Sequence, residues 1–242
     1  MGEARECAEH EAGLPTDPQI YEREYEYWPW GLVMKHLTSW VSDHAPQQAR
    51  ILDYMCGTGF LLGEVLGQRP DTKCFGCSTT RSYIEHGRDV YKGVTLDLSD
   101  ARDYAPHEAP DVVICAAGLH HLHWDEQEEF LAKMAGELAP GGALVIAEEL
   151  VEPWKDENAR RRAVLRLLCG SLDYMLSRGA PDSVVVAGLR VLEADLFGAE
   201  FKFDKETLLA MVERHLELES YEHIWPDNGD SYGDAVVVGR KR

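Results

Sequence analysis

Basic residues are scarce in this chain of 242 residues: 24 lysines and arginines stand against 43 aspartates and glutamates, a formal charge of −19. So acidic a surface repels phosphate backbones and anionic headgroups, which argues against nucleic acid and membrane partners. The basic residues that do cluster, Arg160, Arg161, Arg162 and Arg166, read either as a grip on an anionic substrate or as a solvated helix face. Long apolar runs are also missing. No stretch approaches the about 18 apolar residues of a membrane span, and charges throughout residues 2–11 leave no signal-peptide pattern. A disulfide framework is lacking as well. Six cysteines (Cys7, Cys56, Cys74, Cys77, Cys115, Cys169) are scattered through predicted strands and helices, mostly among apolar neighbours, which suits reduced thiols in a cytoplasm. Cys74 and Cys77 form a lone C-x-x-C on a predicted strand, without a second pair or a histidine pair at ligand spacing, so no metal is expected there. Internal repeats and low-complexity tracts are absent.

What is present is a change of rhythm at residue 50. Residues 1–16 read as an acidic tail, and 17–45 as a helical cap built from Gln19–Tyr27 and about Gly31–Asp43, with Trp28-Pro29-Trp30 between them. From there short apolar runs alternate with helical segments: Arg50–Tyr54, helix 60–67, Lys73–Cys77, helix 80–89, Val94–Leu98, Asp111–Ala116, helix 125–138, Ala143–Glu148. That alternation predicts an α/β fold, a doubly wound Rossmann-like core over 46–150 with helices on both faces of a parallel sheet. Residues 151–200 turn helical, an insertion after the fifth strand, and 201–242 supply a last helix, Lys205–Leu216, and a hairpin of Glu217–Trp225 with Ala235–Gly239.

Within the core, Asp53-Tyr54-Met55-Cys56-Gly57-Thr58-Gly59 follows the first strand and opens a helix. Strand, small-residue loop and helix in that order suit a nucleoside cofactor, because glycines admit a ligand close to the backbone and a helix start offers unpaired N–H groups. The stretch resembles the first motif of the class I methyltransferases that use S-adenosylmethionine. Asp111–Leu122 is similar to that family's fourth-strand motif, and Leu138–Ile146, with Pro140-Gly141-Gly142, to its turn into the fifth strand. The resemblance covers roughly 50–150 and the final hairpin. It implies a seven-stranded mixed sheet whose last strand is inserted antiparallel, with S-adenosylmethionine as cofactor, S-adenosylhomocysteine as product, and cofactor contacts from Asp53, Met55, Cys56, Gly57, Gly59, Ser78, Asp97, Leu98 and Ala116. Two positions depart from the family. Met55 replaces its first glycine, so that a side chain either intrudes on the loop or re-aims it, and Ser78 stands where a ribose-binding acid is usual. Asp97, at the end of the third strand, matches the residue that faces the adenine amino group.

Methyl transfer demands alignment and exclusion of water, and a hydroxyl or enolisable acceptor also demands a base. His121 and His120, just past the fourth strand at the carboxyl edge, are the candidate bases, against the alternative that they only pack; His123 shares their loop. Glu148 and Glu149 either orient an acceptor or are solvated. Tyr21, Tyr25, Trp28 and Trp30 either line a substrate pocket or pack helices. In the insertion, Trp154, Tyr174 and Arg161 are candidates for the acceptor, and Trp225 and Tyr232 flank the last turn. The expectation is therefore a cytoplasmic enzyme of secondary metabolism that methylates a small molecule, with neither nucleic acid nor membrane as partner and a homodimer left open. The competing reading is the same scaffold turned to a cyclisation or rearrangement, or an inactive binding protein.

Overall fold

The computed structural model describes residues 17–198, 200–229 and 231–242; the acidic tail expected over 1–16 lies outside the described residues. Seven strands form one sheet in the order β3-β2-β1-β4-β5-β7-β6: β1 (Arg50–Tyr54), β2 (Lys73–Ser78), β3 (Thr95–Leu98), β4 (Val112–Ala116), β5 (Ala143–Leu150), β6 (Glu217–Trp225) and β7 (Gly233–Arg240). Strands β1 to β5 pair in parallel, and β7 is antiparallel to both β5 and β6. The α/β fold read from the sequence is the fold observed. Strand order reverses between β1 and β4, the switch point at whose carboxyl edge open parallel sheets bind their ligands.

Period-two alternation sorts the strand residues onto two cores. Ile51, Cys74, Ile114, Val145 and Val236 pack with Val33, Leu37 and Val41 of α2 (Trp30–His44) and with Leu62 and Val65 of α3 (Phe60–Gln68). Their opposites, Leu52, Tyr54, Val113, Leu144 and Val237, pack with Phe130, Leu131 and Met134 of α5 (Trp124–Glu137) and with Leu208 and Met211 of α8 (Lys205–His215). The insertion folds as α6 (Glu157–Ser177) and α7 (Asp182–Phe197), whose Val164, Leu167, Leu168, Met175 and Val184 extend the first core. Of its arginines, Arg161, Arg162 and Arg166 are exposed, whereas Arg160 is buried and pairs with Glu157 at 2.8 Å.

Three strands are longer than the sequence predicts: β2 reaches Ser78, β7 runs from Gly233 to Arg240, and β5 extends as well. β5 runs two residues past Glu148, because β7 stays paired with it through Glu149↔Asp234 and Leu150↔Gly233. Both glutamates therefore lie inside the sheet rather than in a solvated turn. α4 (Arg81–Val90) approaches the loop after β1 so closely that a Cβ on Gly87 would stand 2.0 Å from the Thr58 carbonyl oxygen. Gly87→Ala is expected to destabilise the protein by about 1–3 kcal/mol through overpacking, read as a lower denaturant midpoint at unchanged slope.

Candidate active site

The loop between β1 and α3 is built on left-handed backbone at alternate residues: φ is +57° at Met55, +55° at Gly57 and +79° at Gly59, which caps α3. Glycine adopts this conformation without strain; methionine pays for it. The Met55 side chain does not fill the loop. It turns towards Gly118, where an added Cβ would meet its Sδ at 3.0 Å, and Cys56 in turn packs over Gly76 of β2. Above the loop lies α1 (Pro18–Tyr27), capped by the Asp17 side chain. A Cβ on Gly57 would stand 2.6 Å from the Tyr21 hydroxyl oxygen, so only glycine fits beneath that ring. Tyr21 stacks on Tyr83 at 4.6 Å and meets Tyr25 edge-on at 5.4 Å, and Tyr25 leans on Phe60 at 5.0 Å. Of the four aromatics expected to cluster ahead of the sheet, Tyr21 and Tyr25 thus roof the glycine loop, whereas Trp30 is buried in α2. Glu22 pins the roof to α4 and the turn that follows, accepting from the Tyr91 hydroxyl at 2.8 Å and facing His86 at 3.3 Å.

Under the roof, Asp53 is buried and its Oδ1 has no hydrogen-bond partner. Burial holds its carboxyl well above the ordinary aspartate range. At the neighbouring strand ends, Ser78 Oγ accepts from the Thr80 amide at 3.3 Å, and Leu98 pairs with Ser78 in register. Asp97 lies beside Tyr104, whose phenol is pushed up to about 12 by burial and then by that carboxylate. β4 ends at Ala116, and Ala117, at φ +50°, turns the chain into a short 3-10 helix, Leu119–His121.

That turn delivers both histidines to buried carboxylates. His120 Nδ1 lies 2.6 Å from Glu148, which also accepts from the Leu119 amide at 2.7 Å; His121 Nδ1 lies 2.7 Å from Glu200. Burial, then Lys202 and His121, hold the His120 imidazole well below its usual range. Glu148, enclosed by the sheet, is pushed up to about 7 by burial. Glu149 points into a second network: its Oε1 accepts from Trp28 Nε1 at 3.2 Å, its Oε2 meets Lys202 Nζ at 2.7 Å, and Lys202 reaches Asp195 of α7 at 3.3 Å. The solvated alternative for the two glutamates is thereby removed.

The other nominated aromatics lie apart. Trp154 joins Trp124 at 5.5 Å, and Trp124 meets Phe201 at 5.1 Å, with His123 beside them. Tyr174 packs edge-on against Trp225 at 6.0 Å, and the Tyr232 hydroxyl lies near Gly170 of α6. Trp28 lies against α7, where a Cβ on Gly188 would meet its ring at 2.7 Å. Sequence reasoning missed Glu24, Asp195, Glu200, Lys202 and Asp234. A signal for two of them exists: Glu200-Phe201-Lys202-Phe203 alternates charged and apolar residues, the pattern of an extended strap with one apolar face. The Phe201 amide donates to the His120 carbonyl and the Phe203 carbonyl accepts from Val151, which lays that strap along the edge.

With this edge defined, residues 51–142 match a methyltransferase domain family. That segment, which carries the glycine loop and β2 to β4, is what the chain shares with the methyltransferase domain family. The trans-aconitate 2-methyltransferase of Methylobacterium radiotolerans is 31% identical over 111 residues, 45% of this chain and 41% of that one, so the chain spans about two fifths of that relative's length. Among solved structures, the plantazolicin methyltransferase BpumL is similar at TM-score 0.62 and 12% identity, over 93% of this chain and 90% of that one. An O-methyltransferase family protein of Burkholderia thailandensis aligns at TM-score 0.61 and 16% identity, over 93% of this chain and 58% of that one. At such identities the likeness is one of fold. The methyltransferase match ends at Gly142, ahead of β5, so Glu148, Glu149, Glu200 and Lys202 all lie beyond it. Among the described residues, no helix is long and apolar enough to cross a membrane.

Two outcomes follow from the buried charges. Lys202→Met leaves Glu149 and Asp195 buried without their cation and is expected to cost about 3–5 kcal/mol in denaturant unfolding. Glu24 on α1 is raised from 4.5 to about 8 by burial and then by the facing Glu149. The folded protein therefore keeps a proton that the unfolded chain releases near 4.5, and the stability this confers is full below that value and lost as pH rises to about 8. The melting temperature of Glu24→Gln minus that of wild type should grow between pH 5 and 8 and level off above.

Proposed function

We propose that this chain transfers a methyl group from S-adenosylmethionine to a small molecule, releasing S-adenosylhomocysteine. The observation that carries the reading is the glycine loop at the β1–β4 switch point, roofed by Tyr21 and Tyr25, with the buried Asp53 Oδ1 unpartnered beneath it. These residues fit the cofactor: an orphaned carboxylate oxygen suits an amino-acid ammonium, and the glycine positions leave backbone N–H groups within reach of a ligand. Asp97 serves the adenine amino group, Ser78 the ribose hydroxyls, and Met55, Cys56, Leu98 and Ala116 the walls. The cofactor supplies an electrophilic methyl carbon on a sulfonium; the chain supplies position, a dry site and a place for the acceptor.

The acceptor belongs between the β4–β5 edge and the insertion, with His120, His121 and Glu148 at its reacting end and Trp28, Trp154 and Tyr174 on the surrounding elements. Glu148, Glu149, Asp195, Glu200 and Asp234 are buried there with Lys202 as the ammonium among them, which disfavours a polyanionic acceptor. The dedicated insertion supports a specialised acceptor of secondary metabolism, and cysteines without a disulfide among the described residues support a cytoplasmic setting.

Calorimetric titration tests the reading. Wild type is expected to bind one S-adenosylhomocysteine, and Asp97→Ala to weaken binding by about 1–3 kcal/mol. His121→Gln should bind it as wild type does while losing on the order of 10²–10⁴ in methyl-transfer rate. A folded wild-type protein that binds neither form of the cofactor would return the scaffold to the non-methylating or inactive alternatives.

A further inference from the structure

We infer that His120, His121 and Glu200 bind a divalent transition-metal ion at the carboxyl edge of β4. The three offer ligand atoms that all lie within 4.8 Å of one another. His120 Nε2 stands 3.8 Å from Glu200 Oε2, and His121 Nδ1 stands 2.7 Å from the same oxygen. The two imidazole rings lie side by side, 4.4 Å between centroids and 56° apart in plane, so their nitrogens converge from different directions. Metal–ligand bonds of about 2.0–2.1 Å at tetrahedral angles place ligand atoms about 3.3 Å apart. Shifts of an ångström or so in side chains already facing one another reach that spacing.

Three further observations point to a cation there. The first is the orientation of His120. His120 Nδ1 pairs with Glu148 at 2.6 Å and Glu148 is itself fixed by the Leu119 amide, so Nε2 is the ring nitrogen turned towards Glu200, 3.8 Å away. A carboxylate orienting a histidine through its other nitrogen is how metal-bound imidazoles are held. The second is the charge balance. Glu148, Glu149, Asp195, Glu200 and Asp234 are buried, and the Lys202 ammonium is engaged by Glu149 and Asp195. Asp234 is 1% exposed and its Oδ2 has no partner. A dication beside them would be attracted by these carboxyl groups. The third is access: the His121 side chain is 28% exposed, against 5% for His120 and 7% for Glu200, so the cluster has one open side. Two imidazoles and one carboxylate with an open position suit a borderline-soft ion such as Zn²⁺ or Co²⁺, and an oxygen of a small molecule can occupy what the protein leaves vacant.

This inference names how the acceptor end of the proposed methyltransferase site is equipped, yet metal binding is measurable without turnover. The full chain, stripped with chelator and dialysed, is titrated with Zn²⁺ by calorimetry and with Co²⁺ by visible absorption. The expected result is one ion per chain, with Co²⁺ bands of a low-coordinate nitrogen–oxygen site. Glu148→Gln should weaken Zn²⁺ binding about 10–100-fold, and Glu200→Gln and His121→Gln should weaken it more. S-adenosylhomocysteine titration and circular dichroism of each variant report whether the fold and the cofactor site survive; should Glu200→Gln fail to fold, His121→Gln, at the more accessible position, carries the test. A folded wild type that binds cofactor but no metal overturns the inference and leaves methyl transfer standing. Metal binding undiminished in Glu200→Gln and His121→Gln overturns it too, by placing the ion elsewhere. Metal bound by wild type and lost in the variants, without cofactor binding, upholds the site and rejects the methyltransferase reading.

Discussion

The buried ammonium of Lys202 is the constraint on which the rest of the edge depends. Removing a charge from water costs several kcal/mol, and only well-placed carboxylates return it. Lys202 is 2% exposed and takes Glu149 from the sheet and Asp195 from α7. Opposing carboxylates hold its own proton more firmly than an ordinary lysine does. Glu149 feels the same balance from the other side: burial would raise its carboxyl, and Lys202, His120 and Trp28 together bring it below the usual range. Because the strap is extended, fixing Lys202 fixes Glu200 two residues earlier on the histidine pair. The insertion, the sheet and the β4 turn are thus held to a common geometry by one side chain.

The same network reaches the roof. Trp28, at the end of α1, donates to the carboxylate that Lys202 holds. No residue within α1 itself is fully buried; the helix is kept in place by ring contacts, by Glu22 at one side and by Trp28 at its end. Elements with little buried surface open at low free-energy cost. The glycine loop beneath is the opposite case, a rigid turn seated on Gly76 and Gly87, where neighbouring atoms leave no room for a side chain. A fixed floor and a lightly held roof are a reasonable division for a site that must admit and release a large ligand.

The architecture was legible because hydrophobic period and turn residues acted together: Arg50–Tyr54 and its glycine loop read as strand and turn from the sequence, and β1 has those bounds. The ends of β5 and β7 were harder, since pairing with a distant strand, not local propensity, carries β5 through two glutamates. The site was legible only in part. Residues that follow a strand could be placed at the edge by topology, as with His120, His121 and Asp97. Residues that arrive from a helical insertion could not, because spacing does not tell which buried carboxylate a lysine will find; Asp195 and Lys202 meet across a turn whose course is tertiary. Trp154 and Tyr174 show the converse, shared membership of the insertion without shared location.

The insertion of β7 between β5 and β6 has a consequence for how the chain acquires this edge. Strands β1 to β5 can assemble in the order in which they are made, each beside one already present. Residues 233–240 are synthesised long after β5, yet they are its immediate neighbour and cover all eight of its residues. Until they arrive, Glu149 lacks its wall at Asp234 and β5 remains a sheet edge, open to pairing with other chains. A nascent chain stalled before residue 233 therefore has β1 to β5 and the glycine loop but not the strand that closes β5 around Glu148 and Glu149.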